Sequence, residues 1–431
     1  NSELLMLLGG KKSKSTIGKA GQKGFGVGVY GGSSSDLKAM GLTPMEGCEN
    51  PSSDNYGNYI HTNGSIMCCI PAFCYRLGNA TAPSYSRDGE NALEIRDATE
   101  FSQFSHDVAF SSPDFGDGWI LHRAFVDGNK MKNAFFIDKY LCSNVNGQAA
   151  SVKNADFLVC FYRSGVTNPS YFTGSLDGNW YGQTVEAIPI CRNRSDYHSL
   201  VTCFQWAAIS LLSLAHGQAA TSNQFCGWYD ANHTTNFPKG ATSEYCKDSN
   251  DNSITYTPHS YSNTYAKTGS GTPFSKTTHN GQASGVADVA GMCNQIVIGA
   301  GTPNSSFVYL LDTPTAAHEI AGSNVNDKTL YSSYVNGINF SSGYGNSYEA
   351  YFEGIRNGTS GLDWAGAGFV PKSSAKSALF GNNLYLQYNY DAMKMLVGLG
   401  RYWGESAGVF CRSKLAIGQY SVDGEGWDSS G

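Results

Sequence analysis

Charge is scarce in this 431-residue chain: 29 Lys+Arg and 35 Asp+Glu make up 15% of it, against roughly 25% in ordinary soluble domains. The net charge of -6 gives no global field that would attract nucleic acid or an anionic membrane. No apolar run approaches the roughly 18 residues that a membrane-spanning helix needs. The 12 cysteines include no Cys-x-x-Cys, so the strong zinc and redox spacings are absent. In a chain of this length they read as mostly free, buried thiols acting as small apolar residues. No export signal is read either, since Leu4-Leu5-Met6-Leu7-Leu8 is short and its lysines follow it. What is abundant is Gly (51) and Tyr (26), with Ser, Asn and Thr. That mixture belongs to β-rich surfaces and adaptable binding loops. At 41% apolar the chain can still build a core.

Catalytic and metal motifs fail on inspection. Gly404-Glu-Ser406-Ala-Gly408 has the spacing of a nucleophile elbow, but no His follows it in the chain to deprotonate the serine. His318-Glu319 starts a zinc-protease motif, yet Gly322 stands where the second imidazole is required. Asp248, Asn250 and Asn252 have the first spacings of a calcium loop, but Ser253 replaces the turn glycine and His259 the bidentate glutamate. No catalytic residue, cofactor or metal is expected, and the chain is not read as an enzyme.

Residues 1–24 stand apart. Lys11, Lys12, Lys14, Lys19 and Lys23 follow the apolar patch, with no acidic residue between Glu3 and Asp36. Such a stretch cannot bury itself, and it reads as an extended basic arm that docks to another protein. Residues 25–60 read as a β-rich segment and 61–431 as one domain. Short apolar and aromatic runs between Gly, Asn and Pro read as strands, among them 25–30, 65–71, 118–125, 134–140 and 156–162. Over 195–217 the positions Leu200, Val201, Phe204, Ala207, Ala208, Leu211, Leu212 and Ala215 recur at helical spacing. Ser195 or Asp196 can cap that helix and Gly217 can stop it. Phe136, Ile137, Leu200, Phe204, Ala208 and Leu211 are expected to form one helix-on-sheet cluster. A shorter helix is expected at 390–399. The fold class is α+β with long loop insertions.

Several segments, in order, resemble the C-type-lectin-like fold of the formylglycine-generating-enzyme family. Ile66-Met-Cys-Cys-Ile-Pro71-Ala-Phe is similar to its first strand, and Ala134-Phe-Phe-Ile-Asp138-Lys-Tyr140-Leu-Cys-Ser-Asn144 to its F-x-I-D-K-Y strand. The 195–217 helix, Cys226-Gly-Trp-Tyr-Asp with Asn236-Phe-Pro-Lys-Gly240, and Thr278-His-Asn-Gly-Gln-Ala-Ser-Gly285-Val-Ala-Asp288 fall where that fold has its first helix, an aromatic stretch and a Gly-rich loop. Asp288 can accept backbone N–H groups in such a loop, with Gly285 and Gly291 supplying left-handed backbone. Gly408-Val-Phe-Cys-Arg412 falls at a C-terminal strand.

Within that fold, phrases such as Asn55-Tyr-Gly-Asn-Tyr and Lys267-Thr-Gly-Ser-Gly-Thr-Pro-Phe resemble virion proteins of tailed bacteriophages, including tail-fibre adhesins and variable receptor-binding proteins. The resemblance implies a virion structural protein, made in the host bacterial cytoplasm and oligomeric. Its arm, through Lys11, Lys12, Lys14 and Lys19, would dock to other virion proteins. Its C-terminal strands and loops would bind a host-surface glycan or protein, with no nucleic acid and no membrane insertion. Aromatic and charged residues there make Tyr402, Trp403, Glu405, Arg412 and Tyr420 the expected receptor-binding patch. A capsid decoration or head-fibre role is the alternative. A sulfatase-modifying type of oxidase is remote, because the family's paired cysteines are missing near Cys411.

Overall fold

The computed structural model describes residues 16–157 and 191–290, apart from 90–91, 110, 128–129, 242–245, 249–250 and 261, together with the backbone of nine strands beyond residue 290. The architecture is mixed helix and sheet, with sheet predominating. A short helix α1 (Ser34–Ala39) opens with a capping box, in which Ser33 Oγ accepts from the Asp36 N–H and the Asp36 carboxylate from the Ser33 N–H. Strands β1 (Leu42–Pro44), β2 (Asn58–His61) and β3 (Ile66–Pro71) form an antiparallel meander. After Ala72 the chain enters β4 (Phe73–Leu77), which leaves that sheet to pair with β5 (Leu93–Asp97) and β6 (Ile120–Leu121). A helical turn, α2 (Tyr85–Asp88), lies between β4 and β5. The hairpin of β7 (Val126–Asp127) and β8 (Lys130–Met131) leads into β9 (Ala134–Asp138), which completes the first sheet in the order β1-β2-β3-β9.

Residues 67–76 are apolar almost throughout because both faces of this run are covered: every one of them is buried. In β9 the side chains alternate instead. Phe135 and Ile137 are buried, whereas Phe136 faces the other way, its ring 5.4 Å from that of Tyr30 and 5.1 Å from that of Tyr59. The expected single cluster is therefore split. Phe136 belongs with Tyr59, Met67 and Cys69, and its neighbour Phe135 meets Phe125 at 5.3 Å. Beyond β9, β10 (Ser143–Val145) and β11 (Gln148–Ala150) form a hairpin whose turn residues Asn146 and Gly147 both have positive φ.

The long helix α3 (Cys203–Ala219) begins later than the sequence suggests. Thr202, not Ser195 or Asp196, caps it, in a second capping box with Gln205. Nor does Gly217 end it. A Cβ at that position would stand 2.5 Å from the Asn236 carbonyl oxygen, so the glycine serves a close approach of chain to helix. Leu200, Phe204, Ala208 and Leu211 are buried as expected, and α3 lies against β5 and the 3-10 turn Arg123–Phe125. The segment 25–30 is not a strand: Gly24 and Gly26 take positive φ, and Phe25 and Gly26 give their carbonyls to Asn280 and His279 side chains.

A further hairpin joins β12 (Pro258–His259) to β13 (Ser262–Ala266). The remaining strands are β14 (Asn294–Val297), β15 (Ala300–Asn304), β16 (Phe307–Leu310), β17 (Ile338–Asn339), β18 (Ser347–Tyr351), β19 (Asn383–Gln387), β20 (Met395–Leu399), β21 (Ser413–Ile417) and β22 (Ser429–Ser430). They make a six-stranded sheet, β18-β19-β21-β20-β14-β22, and a three-stranded one, β15-β16-β17. Of residues 390–399, expected to be helical, 390–394 lie outside the described residues and Met395–Leu399 form β20, hydrogen-bonded on both sides to β14 and β21. Gly398 weakens helix propensity there, and pairing with two neighbours overrides what remains.

Candidate functional site

Three of the segments that carry the family resemblance meet at one buried cation. Lys139 follows β9, and its ammonium donates to Asn58 Oδ1 at 2.5 Å, the Ala283 carbonyl at 2.7 Å and the Asp54 carbonyl at 3.4 Å. Burial lowers its pKa. The Lys139 carbonyl in turn accepts the Ala287 N–H. The Gly-rich loop is held just as firmly elsewhere. His279 sits between Gly26 O and the Val286 N–H, and Asp288, at φ +55°, accepts from Thr268 Oγ1 and the Gly269 N–H, each at 2.7 Å. Burial pushes the Asp288 carboxyl up to about 6. Positive φ falls at Gly281 and Asp288 in this loop; Gly285 is required because a Cβ there would meet Asn280 Oδ1 at 2.1 Å. Each of these side chains finds hydrogen-bond partners within the protein itself. Their work is to lock the loop to the sheet.

An open chemical site lies at the C-terminal end of β9. A cavity of about 750 Å³ is lined there by Asp138, Cys142, Cys191, Arg194 and His198, with Leu200 and Trp206 among its apolar walls. The Arg194 guanidinium clasps the Asp138 carboxylate through both terminal nitrogens, at 2.6 and 2.8 Å, while its Nε donates to the Ala149 carbonyl. That pair is nearly buried on the arginine side. His198 Nδ1 is 2.7 Å from Ser195 Oγ, and its ring meets the edge of His61 at 4.8 Å. The Cys142 and Cys191 thiols line this cavity together with Arg194 and interact with one another there. Interaction with the other thiol raises the pKa of Cys142 and lowers that of Cys191, which the Arg194 guanidinium lowers further.

The site residues expected from sequence distribute differently. Tyr402, Trp403, Glu405, Arg412 and Tyr420 lie outside the described residues, as do Lys11, Lys12 and Lys14. Lys19 is exposed, but the chain around it is not an extended arm. Ile17 is wholly buried with its N–H on Asp97 Oδ2, Gly21 N–H reaches His216 Nδ1, and Gly24 N–H reaches Gln282 Oε1. Segment 16–24 is fixed to the domain because these donors find acceptors on distant parts of the chain. Asp248 accepts the N–H groups of Gly240 and Asp251, one on each carboxylate oxygen, which makes it the cap of a turn. Among the described residues no group of three or more His, Cys, Asp or Glu is placed to hold a metal, and no helix is long and apolar enough to cross a membrane.

The cysteine pair went unseen in the sequence because its members lie on distant segments. One signal was present: Asp138 precedes Cys142 and Arg194 follows Cys191 at nearly matched spacing, and the two charges pair. No protein-family model matches the chain, and no curated protein matches it significantly.

Proposed function

We propose that this chain is a bacteriophage virion structural protein that displays a C-type-lectin-like domain to bind a receptor on the host surface. The observation supporting it is the convergence just described. Three stretches that carry the family resemblance contact one another: β3 pairs with β9 from Met67↔Asp138 to Pro71↔Ala134, and the 278–288 loop closes on Lys139. Unrelated chance matches have no reason to meet in space. The receptor-binding surface is carried by Tyr402, Trp403, Glu405, Arg412 and Tyr420, which in chain order flank β21 of the six-stranded sheet. Rigid aromatics with a guanidinium and a carboxylate suit a sugar, by stacking and bidentate hydrogen bonds, or a polar protein loop. Lys11, Lys12 and Lys14, with exposed Lys19, supply the basic side of the contact to other virion proteins.

The test is adsorption to host cells by particles carrying single alanine substitutions at the five patch positions, with folding verified by melting and protein position on the particle by immunogold labelling. Loss of adsorption in folded, incorporated variants is the expected outcome. Wild-type adsorption by all five, with label on the head, would replace this reading by a decoration role.

A further inference from the structure

The cavity at the end of β9 holds a chemistry that the receptor-binding reading does not use. Of the eight cysteines whose side chains are described, all unbridged, seven are buried and Cys191 alone is partly exposed. Cys191 lines the same cavity as Cys142, and the Arg194–Asp138 pair holds their two segments together there, with each thiol perturbing the other's titration. The guanidinium beside them is fixed by its two bonds to Asp138 and one to Ala149, so its charge cannot swing away. A partly exposed cysteine, a buried partner cysteine and an immobile cation beside them together favour thiol–disulfide exchange.

We infer that Cys191 and Cys142 form a thiol–disulfide exchange site, with Cys191 as the attacking thiol, Cys142 as the resolving thiol and a small organic disulfide as the co-reactant. In the first step the Cys191 thiolate forms a bond to one sulfur of the small disulfide, whose S–S bond breaks and releases one small thiolate. Cys142 then loses its proton, and its sulfur attacks Cys191 in the mixed disulfide. The Cys142–Cys191 bond forms and the second small thiolate leaves. Two protein thiols are oxidised, one small disulfide is reduced to two thiols, and the two protons lost by the protein go to those leaving groups. The product ties the end of β9 to the segment before α3 across the cavity, so the redox state of the surroundings sets how tightly that wall is held. Arg194 acts as a positioning residue: it holds the negative charge on Cys191 without touching the small disulfide.

The test uses the full chain in glutathione buffers of graded ratio, quenched with acid, alkylated and mapped by mass spectrometry after digestion. A Cys142–Cys191 cross-link forming under mildly oxidising ratios, while the other described cysteines are alkylated only after unfolding, is the expected result. In Cys142→Ser a mixed disulfide with glutathione should accumulate on Cys191; in Cys191→Ser neither adduct nor cross-link should form at Cys142. Arg194→Lys should move the pH profile of Cys191 alkylation upward, and one unit of pKa lowers the thiolate fraction about tenfold at neutral pH. If wild-type Cys142 and Cys191 both remain free thiols at the most oxidising ratio while the protein stays folded, or if Cys191 pairs with a different cysteine, the assignment is wrong. The wild-type mapping decides this even where a variant fails to fold, and it does not depend on adsorption.

Discussion

Lys139 shows how one residue of a recognisable motif can serve structure alone. Its charge is buried, and three carbonyl oxygens from two separate segments, 54–58 and the loop at Ala283, hold it. A buried cation of this kind stabilises only because its donors are satisfied. Lys139→Met keeps the length of the chain but leaves Asn58 Oδ1 and the Ala283 carbonyl without their donor. Each orphaned buried acceptor costs about 1–3 kcal/mol, so the substitution should destabilise the fold by about 3 kcal/mol or more. Urea unfolding followed by fluorescence measures this directly; a loss below about 1 kcal/mol would mean that the loop is held by its other contacts. Asn58 is part of the same knot, since its amide also donates to Ser284 O and to the Cys68 sulfur. Cys68 is buried there, its thiol pushed up to about 12 chiefly by burial, so it behaves as a small apolar residue.

At the scale of elements, Gly217 in α3 sets helix propensity against packing. Alanine would gain about 1 kcal/mol of intrinsic helix stability. Its methyl, however, would stand 2.5 Å from a backbone oxygen of Asn236 and 3.2 Å from the Trp228 ring. Backbone cannot move aside as a side-chain tip can, and such overpacking costs about 1–3 kcal/mol. Gly217→Ala should therefore lower the melting temperature; a rise would show that the 217–236 contact is loose. The same helix shows what can be read from sequence. Its apolar spacing is strong, so its existence and buried face follow from residues 200–215, whereas its start depends on one reciprocal hydrogen bond between Thr202 and Gln205. Strands β3 and β9 were readable for the same reason, being dense in β-branched and aromatic residues. Segments 25–30 and 390–399 were not. The first is shaped by positive φ at glycines and by distant His279 and Asn280, the second by strand partners that sit far along the chain. The Cys142–Cys191 pair is a long-range contact of the same kind, and no local spacing announces it.

For the molecule as a whole, the buried titratable groups set a direction for its response to acid. His122, His216 and His279 are buried and neutral, with pKa values lowered to about 3, 4 and 3, chiefly by burial. His216 is held in one tautomer, Nε2 facing Phe225 O and Nδ1 accepting from Gly21, with its ring stacked 5.3 Å from that of Phe25. Unfolded, each histidine takes up a proton near pH 6.5. Between that pH and about 4 the unfolded chain thus binds up to three protons that the folded chain refuses, so stability falls as pH falls. Asp288 works the other way. Its folded pKa is about 6, against 3.8 in the free side chain, so from pH 6 down to about 4 the folded state keeps a proton that the unfolded state releases. Three against one leaves a net of about two protons, and stability should drop by up to roughly 3 kcal/mol per pH unit near pH 5. His61, His106 and His259, also lowered by burial, add to the same slope, and Asp97, raised by burial, works against it alongside Asp288. Urea midpoints measured from pH 7 to 4.5 read it. Asp288→Asn removes the opposing group and should steepen the decline. His279→Gln, whose amide can still donate to Gly26 O and accept from Val286, should make it shallower by about one proton. A stability that stays level from pH 7 to 5 would mean that these imidazoles are reached by water and protonate without unfolding the protein.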